Sequence, residues 1–206
     1  MPRTAMAVIA GATHRRSQTG IELPLNERLL RAMSLISRLL GKRPDEREAL
    51  RPLWHRVVEV ARAKGWYAQL GVADSKEGRF DMVSLVLAAV LLRMEREPAL
   101  AEAQARLTEL FVEDMDGQLR QSGIGDPTVG KHVRKLVTTL GGRLGALREA
   151  QSGGAAALVP VLERNLTTLP GTGLAPLAEA VSAMMATIGT VSTDALLVGD
   201  FAFEPA

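Results

Sequence analysis

Residues 125–132 read GDPTVGKH, and the order Gly125, four residues, Gly130, Lys131 stops one residue short of a phosphate-binding loop. In such a loop a strand turns into a helix and successive backbone N–H groups curl around phosphate oxygens. A lysine reaches the outer phosphates, and a serine or threonine hydroxyl holds Mg²⁺. Here His132 stands where the hydroxyl belongs, and Pro127 takes one N–H out of the cradle. The residues ahead of Gly123 have helical rather than strand periodicity. Asp126–Pro127 is instead the pair that opens a helix, with a capping carboxylate followed by proline in the first turn. The stretch reads as a turn between two helices, and nucleotide is not its ligand. Gly130 then lies inside a helix, where glycine costs about 1 kcal/mol relative to alanine and so points to a close neighbour.

Charge is the chemistry that remains here. Lys131, Arg134 and Lys135 fall at i, i+3 and i+4, one face of a helix. Just upstream, EDMDGQLR places Glu113, Asp114 and Asp116 near the end of the preceding helix, with Arg120 beyond them. Three neighbouring acids are either metal ligands or a solvated, ion-paired face. No histidine joins them and the spacing does not converge, which favours the second reading. Acids near a helix C-terminus oppose its dipole, so a basic partner across the turn, Lys131 or Arg134, is expected. His14, His55 and His132 are scattered, no serine sits in a nucleophile elbow, and the chain has no cysteine. No cofactor, metal or catalytic group is indicated.

Two stretches suggest apolar partners. Arg28, Arg31, Arg38 and Lys42 alternate with Leu29, Leu30, Met33, Ile36 and Leu40. This is a basic amphipathic helix, either a membrane-surface element or an ordinary docked helix. VSAMMATI sets Met184 and Met185 beside Val181 and Ile188, either a core stripe or an adaptable contact face.

The elements that must position these residues are helical throughout. Asn26 caps a helix with Leu29, Met33, Ile36 and Leu40, ending near Gly41 and Pro44. A second helix spans about 45–64 with Leu53, Trp54, Val57 and Ala61 on one side, and Pro52 kinks or restarts it. GWYAQLGV is a connector. Asp74 and Glu77 form a capping box for a helix that is apolar nearly all round from Met82 to Leu92, which belongs at the centre. Pro98 begins the next helix, carrying Leu100, Leu107, Leu110, Phe111 and Leu119. The helix opened by Pro127 repeats Val129, Val133, Leu136, Leu140, Leu144 and Leu147. After a loop, QSGGAAA, two shorter helices cover about 158–169 and 175–189. The expectation is an all-α fold, one compact bundle of six to eight helices in irregular, orthogonal packing. Residues 1–25 are expected to be disordered or an upstream extension, 26–190 to form the domain, and 191–206 to be a loose tail.

The 206 residues suffice for one core, and the absence of cysteine fits a reducing compartment. Net charge is only +2 but uneven: residues 1–64 hold 13 Lys/Arg against 6 Asp/Glu, while 65–125 hold 6 against 10. That patching suits oriented docking better than a general coat for nucleic acid. Seven aromatic side chains are too few for a base-stacking platform. No apolar run approaches the ~20 residues of a spanning helix.

Three blocks, WYAQLGVADSKEGRFDMV, DMDGQLRQSGIGDPTVGKHVRKL and VLERNL, resemble the ubiquinol–cytochrome c chaperone family over roughly residues 50–170. The middle block is the most specific, with D-M-D, L-R, G-I-G-D, V-G-K and a basic pair in fixed order. The near-P-loop is thus that family's own signature. Bacterial relatives begin with a segment like MSLISRLLGKR, which points to Met33 as a start. The chain departs from the pattern at Val86, where a histidine is common, and around Gly142–Arg143, where an aromatic is usual. The resemblance implies a non-enzymatic chaperone that binds newly made cytochrome b for assembly of the respiratory bc1 complex. It further implies work beside the membrane, with a small partner protein or the ribosome nearby. The setting would be the cytoplasmic face of a bacterial inner membrane, or the mitochondrial matrix in a eukaryote. Carried over by position, Asp81, Asp114, Asp116, Arg120, Lys131, Arg134, Lys135, Arg164 and Asn165 are its polar framework or docking surface. The alternative class is a small helical adaptor binding RNA or the ribosome through residues 28–43 and 131–135.

Overall fold

The structure is a computed structural model describing residues 47–121 and 129–205, the side chains of 119–121 and 129–132 excepted. Eight α-helices run in chain order through the described residues. They are α1 (Arg51–Ala61), α2 (Lys64–Ala68), α3 (Lys76–Met94), α4 (Ala101–Gln121), α5 (Val129–Ala150), α6 (Gly154–Asn165), α7 (Leu174–Thr190) and α8 (Thr193–Leu197). There is no sheet among the described residues, and the one antiparallel bridge pairs Val72 with Thr168. The fold is the all-α bundle expected.

The center is α3. Every residue from Asp81 to Met94 is buried, because α1, α4, α5 and α7 all pack around it. A helix with no polar stripe has no stable alternative to this place. α1 turns Leu53, Val57, Val60 and Ala61 inward, and α4 turns in Leu107, Leu110, Phe111 and Met115. The inner stripe of α5 is Val137, Leu140, Leu144 and Leu147, with the charged Arg143 buried among them.

Several boundaries differ from the sequence expectation. The cap of α3 is Ser75, not Asp74: the Ser75 hydroxyl accepts from the Gly78 N–H at 3.1 Å. Asp74 instead pairs with Arg79 at 2.6 Å. Ser75→Ala removes a cap worth about 1 kcal/mol and is expected to lower the melting midpoint by roughly 2–4 °C in a circular-dichroism melt. The connector GWYAQLGV contains α2, and the loop after α5 is short because Gly154–Ala157 already belong to α6. Alanines are the best helix formers and hold this turn despite Pro160 inside the helix.

The C-terminal stretch was expected to be loose and is not. Ser192 caps α8, Phe201 is buried, and Phe203 stacks on Trp66 with ring centroids 5.8 Å apart. At Gly199 the chain turns with φ +71 against the Pro52 carbonyl, where the left-handed conformation and the contact both require glycine. Arg93 donates to the Val191 carbonyl at 2.9 Å, and the Thr193 hydroxyl donates to Glu97 at 2.6 Å. The Thr193 bond, and a second one from Arg93 Nη1 to Glu97 at 2.6 Å, hold the Glu97 carboxyl below the usual range.

Candidate functional site

Two arrangements involve the charged side chains, one buried and one open. In the buried one, the Arg143 guanidinium donates to Asp81 Oδ1, and its Nη1 donates to the Asp81 carbonyl at 3.1 Å. The other carboxylate oxygen, Oδ2, accepts from the Thr167 N–H at 2.9 Å and the Thr167 hydroxyl at 2.7 Å. Asp81 therefore joins three parts of the chain: α3, α5 and the link between α6 and α7. A short zipper continues the join. Ala73 N–H donates to the Thr167 carbonyl at 2.9 Å, and Leu169 N–H donates to the Gly71 carbonyl at 2.8 Å. Gly78 lies so close beneath it that a Cβ would stand 2.0 Å from the Ala73 oxygen. Arg143 is 5 % exposed, and its Nε has no hydrogen-bond partner among the described residues. It lies 5.5 Å over the Phe80 ring, a cation–π contact that substitutes for solvation.

Phe80 leads outward. It packs on Phe111 at 6.2 Å, and Phe111 meets Trp54 edge-on at 6.1 Å. Trp54 forms part of the wall of the open arrangement, a groove of about 1000 Å³ between α1 and α4. From α1 come Arg51, Trp54, His55, Val58, Glu59 and Arg62, at helical spacing along one face. From α4 come Leu110, Glu113, Asp114, Gly117 and Gln118, and Glu204 of the tail closes one side. Arg47 pairs with Glu113 of the groove wall at 3.6 Å and with Glu109 at 3.9 Å. Burial pushes the Glu109 carboxyl up, against the pull of Arg47 and Arg106. At Gly117 an added Cβ would meet nothing within 4 Å. A glycine there costs the helix about 1 kcal/mol relative to alanine, and no packing neighbour among the described residues explains it.

The expected site residues do not form one surface. Asp81 is in the buried join. Asp114 lines the groove and accepts from Gln118 at 3.3 Å, and Asp116 lies on the same helix. Arg134 and Lys135 are exposed on α5. Arg164 and Asn165 donate to carbonyls of their own helix, Pro160 at 3.1 Å and Val161 at 2.8 Å. The side chains of Arg120 and Lys131 lie outside the described residues, as do Arg28, Arg31, Arg38, Lys42 and the turn GDPT. Glu113 finds its basic partner in Arg47. Sequence reasoning missed the groove and the partner of Asp81. The spacing Leu140, Arg143, Leu144, Leu147 was the available signal, a charge in the middle of an apolar stripe.

The family model described as ubiquinol-cytochrome C chaperone matches residues 68–203, which takes in α3, α5, the Asp81–Arg143 join and the α4 wall of the groove. The chain belongs to this family. The crystal structure of the Cbp3 homolog from Brucella abortus is similar over 86 % of this chain and 95 % of that one, at 31 % identity and a TM-score of 0.67. No curated protein matches the chain in sequence. As a member of the ubiquinol–cytochrome c chaperone family the protein is a non-enzymatic assembly factor of the bc1 complex, with cytochrome b as its client. No helix among the described residues is long and apolar enough to cross a membrane.

Proposed function

We propose that the α1–α4 groove is where the chaperone holds cytochrome b, and that it grips a polar, basic connecting segment rather than an apolar span. The observation that carries this is the scarcity of apolar surface. The large hydrophobic side chains exposed among the described residues are Leu169 and Val198, at 50 % and 60 %, and they form no face. A membrane span needs a broad apolar bed, and the surface of the described residues offers none. The groove instead combines an apolar floor, Trp54 and Leu110, with a charged wall in which the acids Glu59, Glu113, Asp114 and Glu204 outnumber the bases Arg51, Arg62 and Lys64. Connecting segments on the cytoplasmic side of membrane proteins are rich in Lys and Arg. Such a segment complements those acids while its flanking spans stay in the bilayer. The protein then works from the membrane surface, at the cytoplasmic face of a bacterial inner membrane. The carried-over polar residues divide between holding the fold, as Asp81 does, and rimming the groove, as Asp114 does.

A photo-crosslinking side chain at Val58 is expected to capture newly made cytochrome b, while one at Thr187 on α7 is not. Capture from Thr187 alone sinks the groove reading. Reversing charge with Glu113→Arg and Asp114→Arg together places like charges against a basic segment. Assembled bc1 complex and membrane haem b absorbance are expected to fall roughly tenfold, as a loss of about 1.4 kcal/mol or more in docking implies.

A further inference from the structure

We propose that the protein binds a phosphate ester in a second cavity, of about 210 Å³, enclosed by the C-terminal end of α3 and by α5, α6 and α7. This cavity shares no residue with the α1–α4 groove, so the site stands or falls apart from the client seat. Arg93 and Arg96 both line it, and no aspartate or glutamate does. The two arginines are held differently. Arg93 is 9 % exposed and tied into the fold. Its Nε and Nη2 donate to the Val191 carbonyl at 3.2 and 2.9 Å, and its Nη1 donates to Glu97 at 2.6 Å. A guanidinium carries five N–H groups, so an already ordered fork keeps donors to spare. Arg96 is exposed, and its side chain makes one hydrogen bond among the described residues, to the Gly189 carbonyl at 3.2 Å. That bond ends α7 but uses one donor of five and leaves the charge without a carboxylate. Joining α3 to the segment after α7 explains Arg93; it does not explain a second guanidinium at the same cavity. A phosphate answers both, because the planar fork matches two phosphate oxygens at once.

The rest of the lining fits an ester better than a bare ion. Leu92 and Leu158 are buried and Met185 is half-buried, so the inner wall is apolar. Gln151 and Ser182 add polar groups nearer the solvent. Gly154 begins α6 at this wall, and a Cβ there would meet nothing within 4 Å. The first turn of α6 has neither a capping side chain nor an acid, so its N–H groups add to the field of the arginines. The volume lies below the ~300–1,000 Å³ of pockets that take drug-sized molecules, which excludes a nucleotide. A phosphate with a short carbon substituent fills it: the anion at Arg93 and Arg96, the carbons toward Leu92, Leu158 and Met185. Free glycerol phosphates and the head groups of anionic phospholipids share that chemistry.

Isothermal titration calorimetry of the full-length protein tests this with two probes, sn-glycerol 3-phosphate and dihexanoyl phosphatidylglycerol below its micelle concentration. Saturable binding of one equivalent is expected. Binding of the first probe alone assigns the site to free phosphate esters, and binding of the second alone assigns it to a lipid head group. Arg96→Gln should weaken binding about tenfold or more, as loss of a hydrogen bond to a charged group implies. Ala186→Leu should weaken it as well, by filling the exposed edge of the cavity without changing charge. Both positions are exposed, so an unchanged melting midpoint is expected of each variant. Lys76→Gln, at the other end of α3, should bind as the parent does. Absence of saturable binding by either probe overturns the proposal, as does binding that survives both substitutions. An equal loss in Lys76→Gln overturns it in favour of general charge attraction, and succinate binding as tightly overturns the phosphate class.

Discussion

Replacing Arg143 with leucine is expected to lower the thermal midpoint by roughly 6–20 °C. The pair it breaks is sealed: Asp81 is 8 % exposed and Arg143 is 5 % exposed. Leucine has ample apolar company from Leu140, Leu144 and Leu147, so packing at position 143 is not what fails. What fails is Asp81, left as a buried carboxylate with only the two Thr167 donors. Removing one partner of a buried ion pair costs about 3–5 kcal/mol for that reason. The argument makes a second claim that separates it from lost volume. Asp81→Asn in the same chain removes the stranded charge yet keeps an oxygen for Thr167. The double variant should therefore melt above Arg143→Leu alone. A single variant within about 2 °C of the parent would show that the join does not hold the fold.

The same join explains what could be read in advance and what could not. The all-round apolar run Met82–Leu92 has only one stable environment, so the centrality of α3 was legible from residue types alone. The turn at GDPTVGKH was dismissed as a nucleotide loop on local grounds, a missing hydroxyl and a proline, and needed no tertiary information. The Asp81–Arg143 contact spans 62 positions in the chain, and nothing local marks Asp81 as different from Asp74 or Asp116. Helical spacing shows which residues share a face and not which faces meet. The cap moved by one residue for a related reason: Asp74 and Ser75 can both cap, and the ion pair of Asp74 with Arg79 leaves the task to Ser75. The groove was invisible because its walls come from helices some 50 residues apart. What marks it at Gly117 is empty space, which no sequence displays.

Trp66→Ala is expected to cost about 3–5 kcal/mol and to lower the midpoint by a further roughly 6–20 °C when measured on its own. The indole is fully buried on α2, a helix of five residues that cannot stand alone, and its N–H donates to the Val60 carbonyl at 2.8 Å. The loss extends beyond the cavity. Phe203 rests on this ring, and Pro205 sits against Gly65 so closely that a Cβ there would lie 2.3 Å from its oxygen. Without the indole the strap Gly199–Pro205 loses its platform. Limited proteolysis should then cut within these residues in Trp66→Ala at temperatures where the parent is intact. Trp66→Phe separates the two effects. It keeps an aromatic face for Phe203 but removes the stronger of two donors to the Val60 carbonyl, which still accepts from the Ala63 N–H at 3.3 Å, so it should melt lower by a smaller amount and keep the strap protected. Glu204 lies between Phe203 and Pro205 and lines the groove, so freeing the strap also removes one acidic wall. Residues 191–206 were expected to be a loose tail. Its two phenylalanines reverse that: half of the chain's four lie in six residues, and a chain this poor in aromatics places them where they bury area.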